Sequence, residues 1–136
     1  MISCKTAGSV RSDAPELVSI TQHMLVAEAA RVMFQYGVGC LLVVADNEDD
    51  TMVGIVSERD IIKWTSQASD KATSLTVRDV MTRDVIVCEA ETALIDAWKL
   101  MKDNNIRHLP IISGNQAVEM LSMRDLLETN TPPTFL

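Results

Sequence analysis

Apolar positions along this chain alternate between two spacings, and the order in which they do so occurs twice. Val26, Ala29, Ala30 and Met33 recur at three and four residues, which predicts a helix over residues 24–36 stopped by Gly37. Residues 40–44 and 52–56 are continuous apolar runs, too apolar to face water on either side, and predict two buried strands joined by a polar, acidic turn over residues 45–51. A short strand over residues 17–20 precedes this set, and a helix from Ser57 to about Ser66 closes it. The same order then returns as a strand over residues 85–88, a helix over 91–104, strands over 108–112 and 117–121, and a helix over 122–129.

The repetition extends to individual residues. Val53-Gly54-Ile55-Val56-Ser57-Glu58-Arg59-Asp60-Ile61-Ile62 is matched by Val118-Glu119-Met120-Leu121-Ser122-Met123-Arg124-Asp125-Leu126-Leu127. Upstream, Met33 pairs with Met101 and Val44 with Ile112 at an offset of 68, whereas Ser57 pairs with Ser122 and Asp60 with Asp125 at 65. The three extra residues of the first copy fall in the acidic turn opposite Ser113-Gly114-Asn115-Gln116, where a surface hairpin tolerates a length change. The chain therefore divides into a first copy over residues 9–66, a polar linker over 67–76, a second copy over 77–130 and a loose tail over 131–136. The polar leading arm, residues 1–16, is expected to pack beside Thr76-Val77-Arg78-Asp79.

A strand-helix-strand-strand-helix unit has one small apolar sheet with two helices to cover it, and buries little alone. The expectation is an α/β (α+β) fold of two pseudo-twofold-related units packed sheet to sheet, with small-molecule clefts at their border. Composition fits an ordinary folded chain of 136 residues, 47% hydrophobic and 23% charged, and excludes disorder. A net charge of -7 argues against nucleic-acid binding, which needs clustered Lys and Arg. Three cysteines without CxxC spacing argue against a disulfide framework or structural zinc. The longest apolar stretch is too short to cross a membrane and the N-terminal residues lack the apolar core of a signal peptide, which points to the cytoplasm.

The segment Val80-Met81-Thr82-Arg83-Asp84-Val85-Ile86-Val87, with Asn105-Ile106-Arg107-His108-Leu109-Pro110-Ile111-Ile112 and Gly54-Ile55-Val56-Ser57-Glu58-Arg59-Asp60, resembles the CBS domain, named for cystathionine beta-synthase. The resemblance covers roughly residues 9 to 130 and implies a tandem pair, or Bateman module. It implies a regulatory and non-catalytic role, a disc-like homodimer paired helix to helix, and an adenosine-containing ligand such as AMP, ADP, ATP or S-adenosylmethionine. The matching motif positions Gly54, Ser57, Arg59 and Asp60 in the first copy, and Thr82, Arg107, His108, Ser122 and Asp125 in the second, are the ligand-binding candidates. In that family the matching Asp binds ribose, and basic groups at the places of Arg107 and His108 often hold phosphate.

The residue chemistry agrees. A helix N-terminus beside Ser57 or Ser122 favours phosphate, and the carboxylates of Asp60 and Asp125 can each accept two hydrogen bonds, which suits a ribose diol. Adenine needs an apolar slot with backbone partners, for which the strand edges near Val18, Ile86 and Pro110 are candidates. The plainer alternative is that Ser-x-x-Asp is a helix capping box and nothing more; two copies beside Arg107-His108-Leu109-Pro110 favour binding at one site at least. The copies are not equivalent. Gly39-Cys40 stands where the second copy has Arg107-His108, and Glu119 stands where the first has Gly54, so the Ser57 and Asp60 site ranks above the other. No metal site, P-loop or catalytic triad is visible, and no cofactor is required. Two functions stay open: a nucleotide sensor read by an unidentified protein target, or a ligand-free dimerisation or interaction module.

Overall fold

The computed structural model describes residues 6–7, 17–46 and 50–128. It separates into two compact units, a first one over Ala14–Val85 and a second one made of Ile86–Leu136 with the residues up to Asp13. In the first, β1 (Ser19–Thr21), α1 (Val26–Tyr36), β2 (Cys40–Val44), β3 (Met52–Ser57) and α2 (Glu58–Ala68) follow one another, and α3 (Val77–Val80) comes last. The second runs β4 (Cys88–Glu89), α4 (Leu94–Asp103), β5 (His108–Ser113), β6 (Gln116–Ser122) and α5 (Met123–Glu128). Each unit has one three-stranded sheet, in the orders β1-β2-β3 and β4-β5-β6, with the first pair parallel and the second antiparallel.

The duplication reaches the backbone hydrogen bonds. Gly37, at φ 66°, and Asn105, at φ 52°, both take the left-handed conformation that ends a helix, which glycine and asparagine reach most easily. Just beyond, the Val38 N–H donates to the Met33 carbonyl at 3.0 Å and the Ile106 N–H to the Met101 carbonyl at 2.9 Å. Each unit has its own apolar core. Leu41, Val43 and Val56 pack with Ala29 and Met33 of α1 in the first; Leu109, Ile111 and Leu121 pack with Ala97 and Met101 of α4 in the second. The cores follow from the continuous apolar runs of β2 and β5, whose buried residues have no face left for water.

The leading arm differs from expectation. Its described residues, Thr6 and Ala7, do not lie along Thr76-Val77-Arg78-Asp79: Thr6 bridges to Ala93, and the Ala7 N–H donates to the Thr92 carbonyl at 2.8 Å. In the first unit Thr76 bridges to Leu25, and the Val77 N–H donates to the Met24 carbonyl at 2.8 Å. Thr6 and Ala7 thus do for one unit what Thr76 and Val77 do for the other. Both Ala7 and Val77 are fully buried, each in its own unit's core.

The bounds of the two outer strands differ from expectation for one cause, pairing across the sheet. β1 occupies 19–21 because its ladder is fixed against Leu42, Val43 and Val44, and β4 is confined to Cys88 and Glu89 opposite Ile111 and Ile112. The polar stretch 67–76, expected as a linker, is largely helical: α2 runs to Ala68 and a 3-10 helix spans Ser69–Ser74. The end of the last helix at 129 and the tail lie outside the described residues.

Candidate functional site

The two Ser-x-x-Asp motifs sit where a strand passes directly into a helix. At the end of β3 the Ser57 N–H and hydroxyl both donate to Asp60 Oδ2, at 2.9 and 3.0 Å, and the Asp60 N–H donates back to Ser57 Oγ at 3.2 Å. At the end of β6 the Ser122 N–H donates to Asp125 Oδ2 and the Asp125 N–H to Ser122 Oγ, both at 3.0 Å. Both are capping boxes, so the plainer reading of these residues is satisfied. The next residue anchors the junction: the Glu58 N–H donates to the Gly39 carbonyl at 3.0 Å and the Met123 N–H to the Arg107 carbonyl at 2.7 Å. Capping uses Oδ2 in each case, and a carboxylate has further lone pairs on its other oxygen.

What lies beside that other oxygen differs between the units. In the first, Thr82 forms two backbone hydrogen bonds with Ile55, at 3.0 and 2.8 Å, and holds its hydroxyl 3.5 Å from Asp60 Oδ1. Gly54 makes this approach possible, since a Cβ there would lie 2.7 Å from the Thr82 carbonyl oxygen and 3.0 Å from Met81 Sδ. Gly54, Ser57, Asp60 and Thr82 are therefore brought together. The Met81 contact was not legible in the sequence, because nothing local marks a residue that crosses a distant strand. Cys40, paired with Ser57 across the ladder, has its thiol pushed up to about 12, first by burial and then by the Asp60 carboxylate, so it stays protonated.

In the second unit the place of Gly54 is taken by Glu119: Glu119 pairs with Ile111 as Gly54 pairs with Val43. Its carboxyl is raised above the usual range, mainly by burial and additionally by the Asp125 carboxylate. Asp125 is itself buried, at 8% exposure, the one charged side chain in that class among the described residues. His108 pairs with Ser122 and is half-buried, so Arg107, His108, Ser122 and Asp125 meet at one end of the sheet, with the Arg107 side chain exposed. Arg59 is exposed on α2.

The expected adenine slot needs correction at one point. Pro110 is not at a sheet edge; it is buried on the central strand β5, opposite Met120. Val18 and Ile86, which precede the outer strands, pack against the two cores. The proline has a consequence for Ile86. The Leu42 N–H donates to the Val18 carbonyl at 3.0 Å, but Pro110, at the position equivalent to Leu42, has no N–H to give the carbonyl of Ile86. Among the described residues no group of three or more His, Cys, Asp or Glu could hold a metal ion, and no helix is long and apolar enough to cross a membrane.

Two β-α-β-β-α units, each with a capped carboxylate at its last strand-to-helix junction, define a duplicated module with twin candidate sites. The model of the CBS domain matches residues 9–66 and 77–130, and the chain belongs to the CBS domain family as a tandem pair. Among relatives, the CBS domain-containing protein CBSX3, mitochondrial, of Arabidopsis thaliana is 35% identical over 104 residues, 75% of this chain and 50% of that protein. The CBS domain-containing protein YhcV of Bacillus subtilis is 31% identical over 112 residues, 82% of this chain and 76% of that protein. Several relatives are longer: this chain spans about half of the Arabidopsis protein and of one from Methanopyrus kandleri. An uncharacterized conserved protein from Pyrococcus horikoshii superposes with TM-score 0.82 at 26% identity, over 94% of this chain and 93% of that one. The CBS domain pair of protein MJ0100, solved with 5′-methylthioadenosine and S-adenosyl-L-methionine, shares the fold with TM-score 0.78 at 21% identity, over 92% and 94% of the two chains.

Proposed function

We propose that this CBS pair is a regulatory module that binds an adenosine-containing ligand, of the class of AMP, ADP, ATP or S-adenosylmethionine, and presents the bound state to a protein partner. The observation that carries this reading is the capped carboxylate of Asp60: Oδ2 closes the helix, while Oδ1 faces a hydroxyl 3.5 Å away, too long to saturate it. A carboxylate so positioned accepts hydrogen bonds from a ribose diol. Asp125 has the equivalent role in the second unit, Thr82 and Ser57 flank the ribose of the first, and the carbonyl of Ile86 is an acceptor for an adenine amine. Arg59, Arg107 and His108 are the basic groups assigned to a charged 5′ substituent. The family membership and the adenosine compounds held by the MJ0100 pair support the ligand class. We further propose that the module is a homodimer joined through helices, on the strength of Phe34 at 91% and Ile62 at 69% exposure.

The test is calorimetric titration of the full chain with adenosine, AMP, ADP, ATP and S-adenosylmethionine. Asp60→Asn keeps an acceptor for the Ser57 N–H but loses the charge, so the cap survives. It is expected to weaken binding by about 1.5–3 kcal/mol, the range for hydrogen bonds to a charged group. Arg107→Ala is expected to weaken ATP more than adenosine, with the difference shrinking in salt. Equal affinities in all three proteins remove the assignment. Absence of any binding favours the second reading, a ligand-free interaction module, for which the capping boxes, complete in themselves, are the supporting observation.

A further inference from the structure

The strand-to-helix junctions of the two units put opposite charges at one position. In the second unit the Met123 N–H donates to the Arg107 carbonyl, and in the first the Glu58 N–H donates to the Gly39 carbonyl, so Gly39 stands where Arg107 does and Glu58 where Met123 does. Gly39 has no side chain, and the Glu58 carboxylate fills the space: a Cβ on Gly39 would run into Glu58 Oε1 and lie 3.2 Å from its Cδ. Glu58 therefore folds back over the start of β2. That place is one residue from Cys40, the ladder partner of Ser57, and Ser57 shares its capping box with Asp60. The first unit thus holds a carboxylate where, in the second, a guanidinium side chain begins.

We infer that Glu58 is a specificity residue of the Asp60 site, which makes that site prefer adenosine compounds with an uncharged or cationic 5′ group over phosphorylated ones. The inference rests on the adenosine-binding reading above, and within it on the assignment of Arg107 to a charged 5′ substituent. The place that offers the 5′ group a guanidinium in the second unit offers it a carboxylate in the first. The helix end acts in the same direction. A helix N-terminus attracts an anion, but the first turn of α2 already holds two, Glu58 and Asp60. Arg59, between them in sequence, offsets one carboxylate and not both. A phosphate brought here adds like charge, whereas a 5′ amine or sulfonium is attracted. Glu58 and Arg59 are exposed, where water and salt weaken a charge, so the preference is several-fold and largest at low salt.

The experiment isolates the first site with Asp125→Asn and Arg107→Ala, and titrates adenosine, AMP and 5′-amino-5′-deoxyadenosine into the full chain at low salt. Asparagine keeps an acceptor for the Ser122 N–H, so the second helix stays capped. In this background the amino compound is expected to bind best, with AMP weaker than adenosine by about fivefold or more, as for a like charge added near an exposed carboxylate. Adding Glu58→Gln, which keeps shape and removes charge, is expected to bring AMP level with adenosine. Glu58→Met with Gly39→Arg, which copies the second unit, should make AMP the tightest of the three. An AMP-to-adenosine affinity ratio that Glu58→Gln leaves unchanged would overturn the inference. So would a background protein that binds no probe although the unaltered chain binds adenosine; the adenosine reading survives either result. No binding of any probe to the unaltered chain removes both.

Discussion

Gly54 has no room for a side chain. The atom a Cβ would meet at 2.7 Å is the backbone carbonyl oxygen of Thr82, which cannot move without losing the two hydrogen bonds to Ile55. Gly54→Ala is therefore expected to destabilise the first unit by about 1–3 kcal/mol, measured by urea unfolding, while Glu119→Ala at the equivalent strand position is tolerated. Glu119 carries a pH prediction. Its native carboxyl is raised, so between its ordinary and its native pKa the folded chain holds more protons than the unfolded one, and stability falls as pH rises through that window. Urea midpoints taken from pH 4 to 7 should show the unaltered protein losing stability relative to Glu119→Gln as pH rises; a difference that does not change with pH would place the carboxyl in solvent. The pairing of Ser57 with Asp60 was legible because both partners lie within one helical turn. The reason for Gly54 was not, since Thr82 is remote in sequence and only tertiary packing brings it over the strand.

At the level of elements, the long periodic segments were readable, the short outer strands were readable with shifted bounds, and the shortest helix was not. α1 and α4 present three buried residues each at helical spacing, Val26, Ala29, Met33 and Leu94, Ala97, Met101. A four-residue helix such as α3 has no period to detect; it is held by its own box, in which the Thr76 N–H and hydroxyl donate to Asp79 Oδ2 at 2.8 and 3.0 Å. Those bonds, the backbone one first, hold the Asp79 carboxyl below its ordinary range, so the box stabilises above the usual carboxylate pKa and is lost on acidification. Within the stretch read as a linker the Ser74 hydroxyl donates back to the Lys71 carbonyl at 3.0 Å, as the Ser66 hydroxyl does to the Lys63 carbonyl at 2.8 Å in α2. Ser57→Ala and Ser122→Ala should each cost about 1 kcal/mol, the worth of an N-cap, visible as lower melting temperatures with or without ligand. If binding fell while melting held, the serines would serve the ligand and not the helix.

For the whole molecule, the exposed apolar side chains of α1 and α2 predict self-association. Sedimentation of Ile62→Lys with Phe34→Lys is expected to show monomer where the unaltered chain shows dimer; a monomer in both would remove the dimer proposal. The same scale holds one consequence of Ala7. The first unit is a continuous stretch of chain, whereas the core of the second joins a residue made before it to residues made after it. On a ribosome the first unit is free to fold as soon as residue 85 has emerged, while Ala7 must wait, without its neighbours, for Leu94 and Met101 to be made. The second core closes a loop longer than an entire unit, which makes it the later event in refolding as well. Ala7→Asp should then remove amide-exchange protection from β5 and β6 and leave that of β2 and β3, so the order of birth along the chain becomes an order of failure.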